Sequence, residues 1–529
     1  MNWYRTMKSS VPGLHPVENV VHGLIHVADA PEPQRMILLP GNATLRAAAS
    51  STKAFFRTLT AQPAKARISR GKGGSRFKMK VLDSIHEDGA KLVEISAKDA
   101  QALRADEWGL RMVPEQFYQP AVQFYQVESR VKSATTATAS ARKVIVKVTS
   151  AADGSAIPGA NVVAFTNFAT REGDGGVTSK SGTVTLSLPS GIPVLDRLYV
   201  YPANSFWGSL QIKLNLASTI NVPLTPIDLA FEDSVRFFAH SGEPDDGNGV
   251  KVGVVDTGIA LKHPDLKVLG GECTVPGEPA NSYGPLGGDH GSHCAGIIAA
   301  RGTPPKGIRG IAPGTALYSY RVFPKATPQD PEPRASNYSI AKAIDRGAAQ
   351  GCDLLNLSLG GGNPDPATEA AIQDARNAGC VVIAAAGNDD RKPVSFPASF
   401  DLCVAVSAVG RIGLFPAGSV DSGDVAAPFG TDKKNFIAAF SNIGLELDAT
   451  GPGVGIISTV PDKKYAVMSG TSMATPAVTG LAARLLAKNA AILNANRDAS
   501  RADRIVRLLL QSCKSLGFGP TFEGQGLPE

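Results

Sequence analysis

The feature that most constrains this chain is a series of short, mostly apolar runs alternating with helical stretches in its second half. Val252–Val255, Leu317–Val322, Leu354–Leu357, Val381–Ala386 and Cys403–Ser407 read as buried strands, and Ser339–Gln350 and Pro366–Ala378 as helices. Strands apolar on both faces need helices on both faces, which predicts a parallel sheet. From Gly249 onward the expectation is therefore an α/β, doubly wound domain spanning residues 241–529.

The first half follows other rules. At ~150 residues per domain, 529 residues accommodate three or four domains. Met79–Leu82, Leu92–Ile95 and Leu110–Val113 read as strands and Ala97–Arg104 as a helix, so residues 35–120 form an expected α+β module after an N-terminal extension, 1–34. A linker is expected over 121–142, containing the Ser/Thr/Ala-rich stretch Ser133–Ala141. Residues 143–225 then show short alternating runs (Val144–Val148, Ala160–Phe165, Gly182–Leu188, Leu198–Tyr201) punctuated by Pro158-Gly159 and Ser181-Gly182, the rhythm of a β-sandwich.

Composition removes several classes of protein. A hydrophobic share of 43% with 19% charged residues excludes wholesale disorder. No apolar run approaches the ~18 residues of a membrane span, so none is expected. Residues 1–240 hold 27 basic and 19 acidic residues, against 26 and 28 in 241–529. The excess is concentrated at Lys65, Arg67, Arg70, Lys72, Arg76, Lys78 and Lys80; without interleaved aromatics it reads as a solvated basic loop, and no nucleic-acid partner is expected. The six cysteines lack CxxC or zinc spacing. Near the N-terminus, Arg5 and Lys8 precede an apolar stretch broken by His22, Gly23 and His26, too interrupted for a signal peptide, so the compartment stays open between cytoplasm and non-classical export.

Three places carry chemistry. Asp256, in Val-Val-Asp-Thr-Gly, ends a strand at the carboxyl edge where open α/β sheets keep their sites, though a capping aspartate before a turn glycine looks alike. His290 and His293 open an apolar helical run; a zinc pair would want the glutamate of HExxH, which is missing. Ser472 follows Gly470-Thr471 and leads into a helix, where a lone serine is also a common N-cap.

Together, "VGVVDTGI", "HGSHCAG" and "GTSMATP" resemble the three signatures of the subtilisin family, in its Asp, His, Ser order. The likeness continues through "HPDLKVLGG", "IRGIAPGTALYSYRVF", "NLSLGG", "AAAGN" and "FSNIG…GPGVGIIST". It implies a serine endopeptidase with Ser472 as nucleophile, His290 as base and Asp256 as its orienting partner. Asn388 corresponds to the oxyanion asparagine; in isolation it reads as a turn residue. Ser358, Leu359, Gly360 and Gly361 with Ala385, Ala386 and Gly387 correspond to two walls of the specificity pocket, and Tyr338 to a distant subsite or, equally, to core. No cofactor is implied for the chemistry. Asp265 matches a calcium ligand of some subtilisins, but the basic Arg301–Arg309 loop does not support structural calcium. Asp389 and Asp390 are candidates for favouring a basic residue before the scissile bond, or ordinary loop acids.

"ILLPG…KVLDSIHEDGAKLVEISAKDAQALRADEWGLRMVPEQFY" resembles the subtilisin propeptide, which implies that the N-terminal module is an intramolecular inhibitor cleaved between Tyr118 and Lys143. "IPGANVVAF…SGTVTLSLPSG…LYVYPA" resembles transthyretin-like or carboxypeptidase-regulatory-like domains. The expected partners are polypeptide substrates. Two alternatives stay open: a peptide ligase or macrocyclase on the same fold, and a binding or adhesion protein with a degenerate peptidase domain.

Overall fold

The computed structural model describes residues 33–40, 55–56, 59, 67–70, 76–106, 110–130, 141–240 and 242–529. Its largest element is an eight-stranded sheet. Val268–Cys273, Ala316–Arg321, Lys251–Asp256, Leu354–Leu357, Val381–Ala385 and Cys403–Arg411 run parallel in that spatial order. Ala449–Pro452 adds in parallel and Asn435–Ile437 antiparallel to the last of them. Successive strand residues enter two different cores. Val252, Val254, Val381, Ile383, Val404 and Val406 face the helices His290–Ala299 and Thr471–Ala487. Val255, Leu355, Leu357, Val382 and Ala405 face Asn337–Ala349 and Pro366–Asn377. This two-sided burial is why the strands lack polar alternation.

The N-terminal α+β module is an antiparallel sheet ordered Arg67–Arg70, Arg76–Ser84, Lys91–Ile95, Gln34–Leu39, Arg111–Pro114, with the helix Ala97–Asp106. The basic stretch is therefore partly a hairpin, since Arg67–Arg70 pairs with Arg76–Met79. Leu38, Val93 and Ile95 face the module's own core. Ile37, Leu39 and Leu92 on the opposite face pack with residues of Asn337–Ala349. Lys342 Nζ bonds Asp83 Oδ2 at 2.7 Å, and Arg346 donates to the Ile85 carbonyl at 3.1 Å across this junction.

Residues 141–224, joined by the short strand Ser129–Arg130, form two sheets around one apolar core. One is ordered Ser209–Asn215, Val194–Tyr201, Asn161–Asn167, Glu172–Val177, Ser129–Arg130; the other Thr183–Pro189, Ala141–Ser150, Thr219–Leu224. The first sheet is covered on its outer side as well: Val162 and Ala164 enter the inner core, Val163 and Phe165 an outer one with Tyr199 and Leu210. That outer face meets the stretch 411–436 of the large domain. Leu210 N–H donates to the Gly418 carbonyl at 2.8 Å, and Val420 joins the outer core.

The linker expected over 121–142 is corrected in its first part. Residues 121–127 lie against the large domain and the two-sheet module, and Ser129–Arg130 pairs with Glu172–Gly173. Their main chain finds partners on both sides, so this stretch is not slack; residues 131–140 lie outside the described set. Among the described residues, no helix is long and apolar enough to cross a membrane.

Trp207 pins the two-sheet module to the large domain: it is buried in that domain's core, edge-on to Phe231 at 5.2 Å. Trp207→Ala should lower stability by about 3–5 kcal/mol in urea unfolding followed by circular dichroism.

Candidate functional site

The strand Lys251–Asp256 delivers Asp256, fully buried, to the carboxyl edge of the sheet. The helix His290–Ala299 opens beside it, and His290 Nδ1 lies 2.8 and 2.9 Å from the two Asp256 carboxylate oxygens. The Thr257 amide also donates to Asp256 Oδ1, at 2.6 Å, while Thr257 Oγ1 accepts the Gly291 N–H at 2.9 Å and so ties the strand end to the helix start. Burial by itself favours the neutral imidazole, but the Asp256 carboxylate outweighs it and holds His290 well above the ordinary histidine range.

Ser472 sits in the first turn of Thr471–Ala487, fully buried. Its Oγ donates to the Ser358 carbonyl at 2.8 Å rather than to His290. Cys294 lies close by, Sγ 3.9 Å from His290 Nε2, and donates to the Ser472 carbonyl at 3.5 Å. Asp256, His290 and Cys294 are the one cluster of potential metal ligands among the described residues. Burial raises the Cys294 thiol above its ordinary value, so it remains S–H. His293 belongs elsewhere: its Nε2 faces the Ile456 and Ala466 carbonyls at 3.1 and 3.2 Å, and burial lowers it to about 3.

Asn388 follows the strand Val381–Ala385, and its amide orientation is set by a neighbour. Asn388 Oδ1 accepts from Thr471 N–H at 3.0 Å and Thr471 Oγ1 at 2.8 Å, which turns Nδ2 toward the cleft. There Nδ2 donates to the Ala121 carbonyl at 2.5 Å, and the Ser472 N–H donates to the same oxygen at 3.1 Å. The sequence singled out neither Thr471 nor Ala121. Thr471 lies inside the quoted serine motif, whereas no local pattern marks Ala121.

Ala121 is held there by a strand. Phe117–Pro120 lies between two edges of the large domain, antiparallel to both: Tyr118 faces Ala335, Phe117 faces Ser336, Gln119 faces Gly360 and Pro120 faces Leu359. Ala121 N–H continues the ladder to the Ser358 carbonyl at 3.2 Å, and Gln123 N–H reaches the Ser469 carbonyl at 2.8 Å. Tyr118 is buried, its hydroxyl donating at 2.8 Å to Asp365, the N-cap of Pro366–Asn377.

The other residues divide into groups. Ser358–Gly361 and Ala385–Gly387 lie on adjacent strand ends, and Ser395 Oγ sits 2.7 and 2.6 Å from where a Cβ on Gly360 or Gly387 would stand. Tyr338 is fully buried in the same apolar cluster as Tyr118. Asp389 and Asp390 have protein partners: Asn442 Nδ2 donates to Asp389 at 2.9 Å, and Asp390 pairs with Arg171 at 3.5 Å. Asp265 Oδ2 accepts from Ile308 N–H at 2.9 Å and the Tyr465 hydroxyl at 2.8 Å. With the Asp265 carboxylate engaged by these donors, and no acid in 301–309, these residues do not fit a calcium ion.

Fold and sheet edge together define the class, a serine peptidase on a doubly wound parallel sheet. Comparison with known proteins makes it particular. The sequence model of the Subtilase family matches residues 247–526. Subtilisin DY of Bacillus licheniformis is 37% identical over 247 residues, covering 46% of this chain and 78% of that protein. Subtilisin BL of Lederbergia lenta is 38% identical over 243 residues, with the same two shares. M-protease of Shouchella clausii (strain KSM-K16) is 38% identical over 243 residues, covering 46% of this chain and 55% of that protein. The chain belongs to the subtilase family and is a subtilisin-like serine endopeptidase.

Gly470 makes the close approach of Ala121 possible. Its φ is +154°, and a Cβ there would stand 2.4 Å from the Ala121 carbonyl oxygen. Gly470→Ala should push that carbonyl off its two donors and speed amide hydrogen exchange across residues 117–123, read by mass spectrometry.

Proposed function

We propose that this chain is a self-processing endopeptidase whose catalytic triad is Asp256, His290 and Ser472. Residues 35–120 act as an intramolecular inhibitor, and Ala121–Val122 is the bond the enzyme cuts in its own chain. One observation carries the reading: the Ala121 carbonyl oxygen accepts both the Ser472 N–H and Asn388 Nδ2, where an oxyanion would need its donors.

The steps follow from the side chains. Rotation about χ1 releases Ser472 Oγ from the Ser358 carbonyl and turns it to the Ala121 carbonyl carbon. As the C–O bond forms, the Oγ proton passes to His290 Nε2, while Asp256 holds Nδ1 and stabilises the imidazolium. Negative charge on the Ala121 oxygen is met by Ser472 N–H and by Asn388. Collapse breaks the Ala121–Val122 C–N bond, and His290 returns the proton to the Val122 amine. Water then hydrolyses the acyl-enzyme by the same exchange in reverse. Side chains and water account for every bond and proton.

The ladder from Phe117 to Ala121 supports substrate binding by strand addition, with Ser358, Leu359, Gly360 and Gly361 on one wall and Ala385, Ala386 and Gly387 on the other. Tyr338, buried in the same apolar cluster as Tyr118, supports a subsite four residues before the bond. Residues 143–225 are assigned as a β-sandwich of the transthyretin or carboxypeptidase-regulatory type.

Wild-type chain should mature to a polypeptide beginning at Val122, seen by N-terminal sequencing, whereas Ser472→Ala should keep its full mass. Peptide hydrolysis by Ser472→Ala should fall by about 10⁶ in kcat, the loss known for the corresponding change in a subtilisin. Residual turnover within tenfold of wild type would refute the triad.

Asn388→Leu removes one donor to the oxyanion at nearly constant shape. Stopped assays should show kcat reduced by about 10²–10³, as in a subtilisin, with KM little changed.

A further inference from the structure

The chain beyond Ala121 does not leave the cleft into solvent. Phe124 packs on Tyr201 with ring centroids 4.5 Å apart, and Tyr201 Oη receives the Tyr125 N–H at 3.3 Å. Tyr125 is buried, its ring centroid 5.1 Å from both Phe168 and Tyr199. The Arg171 guanidinium lies over the Tyr125 ring at 4.7 Å and over Phe168 at 3.9 Å. Phe168, Tyr199 and Tyr201 belong to the outer apolar cluster of the two-sheet module, separate from its inner core, and the Arg171 guanidinium lies over that cluster.

The pocket is wired to the reacting centre at two points. Arg171 pairs with Asp390 at 3.5 Å, two residues from Asn388, and both have left-handed backbones, with φ of 52° and 57°. Strain of this kind in non-glycine residues collects where geometry serves a site. Ser469, whose carbonyl holds Gln123 N–H, donates through Oγ to Asp421 at 2.6 Å, inside the 3₁₀ turn Val420–Asp424 that contacts the module. The sequence carries a matching sign. Gln-Phe-Tyr-Gln occurs at 116–119 and again at 123–126, which places a tyrosine four residues before and four residues after the Ala121–Val122 bond.

We propose that Phe168, Arg171, Tyr199 and Tyr201 of the two-sheet module form a substrate subsite on the leaving-group side, selecting polypeptides with aromatic residues three and four positions beyond the scissile bond. This rests on the proposed cleavage at Ala121–Val122, and the enzyme's own Phe124 and Tyr125 are the first occupants. The module thereby extends the peptidase cleft, and its outer aromatic face is a specificity element. Aromatic stacking and the guanidinium together give about a tenfold preference.

The test uses matured enzyme and two peptides. One is Tyr-Gln-Pro-Ala-Val-Gln-Phe-Tyr-Gln-Val, the sequence of residues 118–127, and the other carries Ala-Ala in place of Phe-Tyr. The kcat/KM ratio should favour the aromatic peptide about tenfold, and should fall toward one in Phe168→Ala and in Arg171→Ala. Because Tyr125 can stay seated after maturation, the pair is also run on Tyr125→Ala, where the ratio should be at least as large. A ratio near one in both wild type and Tyr125→Ala overturns the subsite, and a ratio that survives both pocket substitutions overturns its location. If neither peptide is cut above the Ser472→Ala blank, the underlying cleavage reading fails, a result distinct from unselective hydrolysis.

Discussion

The insertion of Phe117–Pro120 between Ala335–Ser336 and Leu359–Gly360 is the interaction on which the arrangement of the whole molecule turns. An extended segment and two open strand edges each carry unpaired N–H and C=O groups that are costly to bury unsatisfied. Pairing them satisfies all three at once and sets the register residue by residue. The α+β module prepays the geometry: its sheet rests on the helix Asn337–Ala349, so the strand arrives already aimed. With Tyr118 buried against Asp365, the next turn of the ladder leaves the Ala121 carbonyl at Ser472 N–H and Asn388.

The same segment ties in the two-sheet module. Its outer aromatic face is covered by Tyr125 and by Val420 of the stretch 411–436. A sheet buried on both sides needs continuous apolar strands, which is why Asn-Val-Val-Ala-Phe and Leu-Tyr-Val-Tyr depart from strict alternation. The stretch 411–436 thus docks on this face, and through Asp421 and Ser469 it reaches the backbone that holds Gln123.

In the reactive cluster, neighbours decide what each group can do. Thr471 supplies two donors to Asn388 Oδ1 and so aims the Asn388 N–H pair into the cleft. Asp256 overrides the burial of His290, while His293, on the same helix but facing carbonyl oxygens in an apolar interior, is driven the opposite way. Two histidines three residues apart therefore differ in proton affinity for reasons that spacing does not contain.

Much was legible in the sequence because it is encoded locally. Parallel strands follow from apolar runs between helices, and the subtilase family from ordered motifs around Asp256, His290, Asn388 and Ser472. What sequence could not determine depends on contacts between residues far apart in the chain. Ala121 meets Asn388 across 267 positions, and Tyr118 meets Asp365 across 247. Residues 121–130 fall inside the linker expected around the Ser/Thr/Ala-rich stretch 133–141; their order comes from edges and rings that other segments supply. The sequence by itself determined the peptidase fold and its candidate reactive residues, through periodicity and motif. Only the tertiary structure decided which bond lies before Ser472 and what the two-sheet module faces, because backbone pairing and side-chain burial are settled where distant surfaces meet.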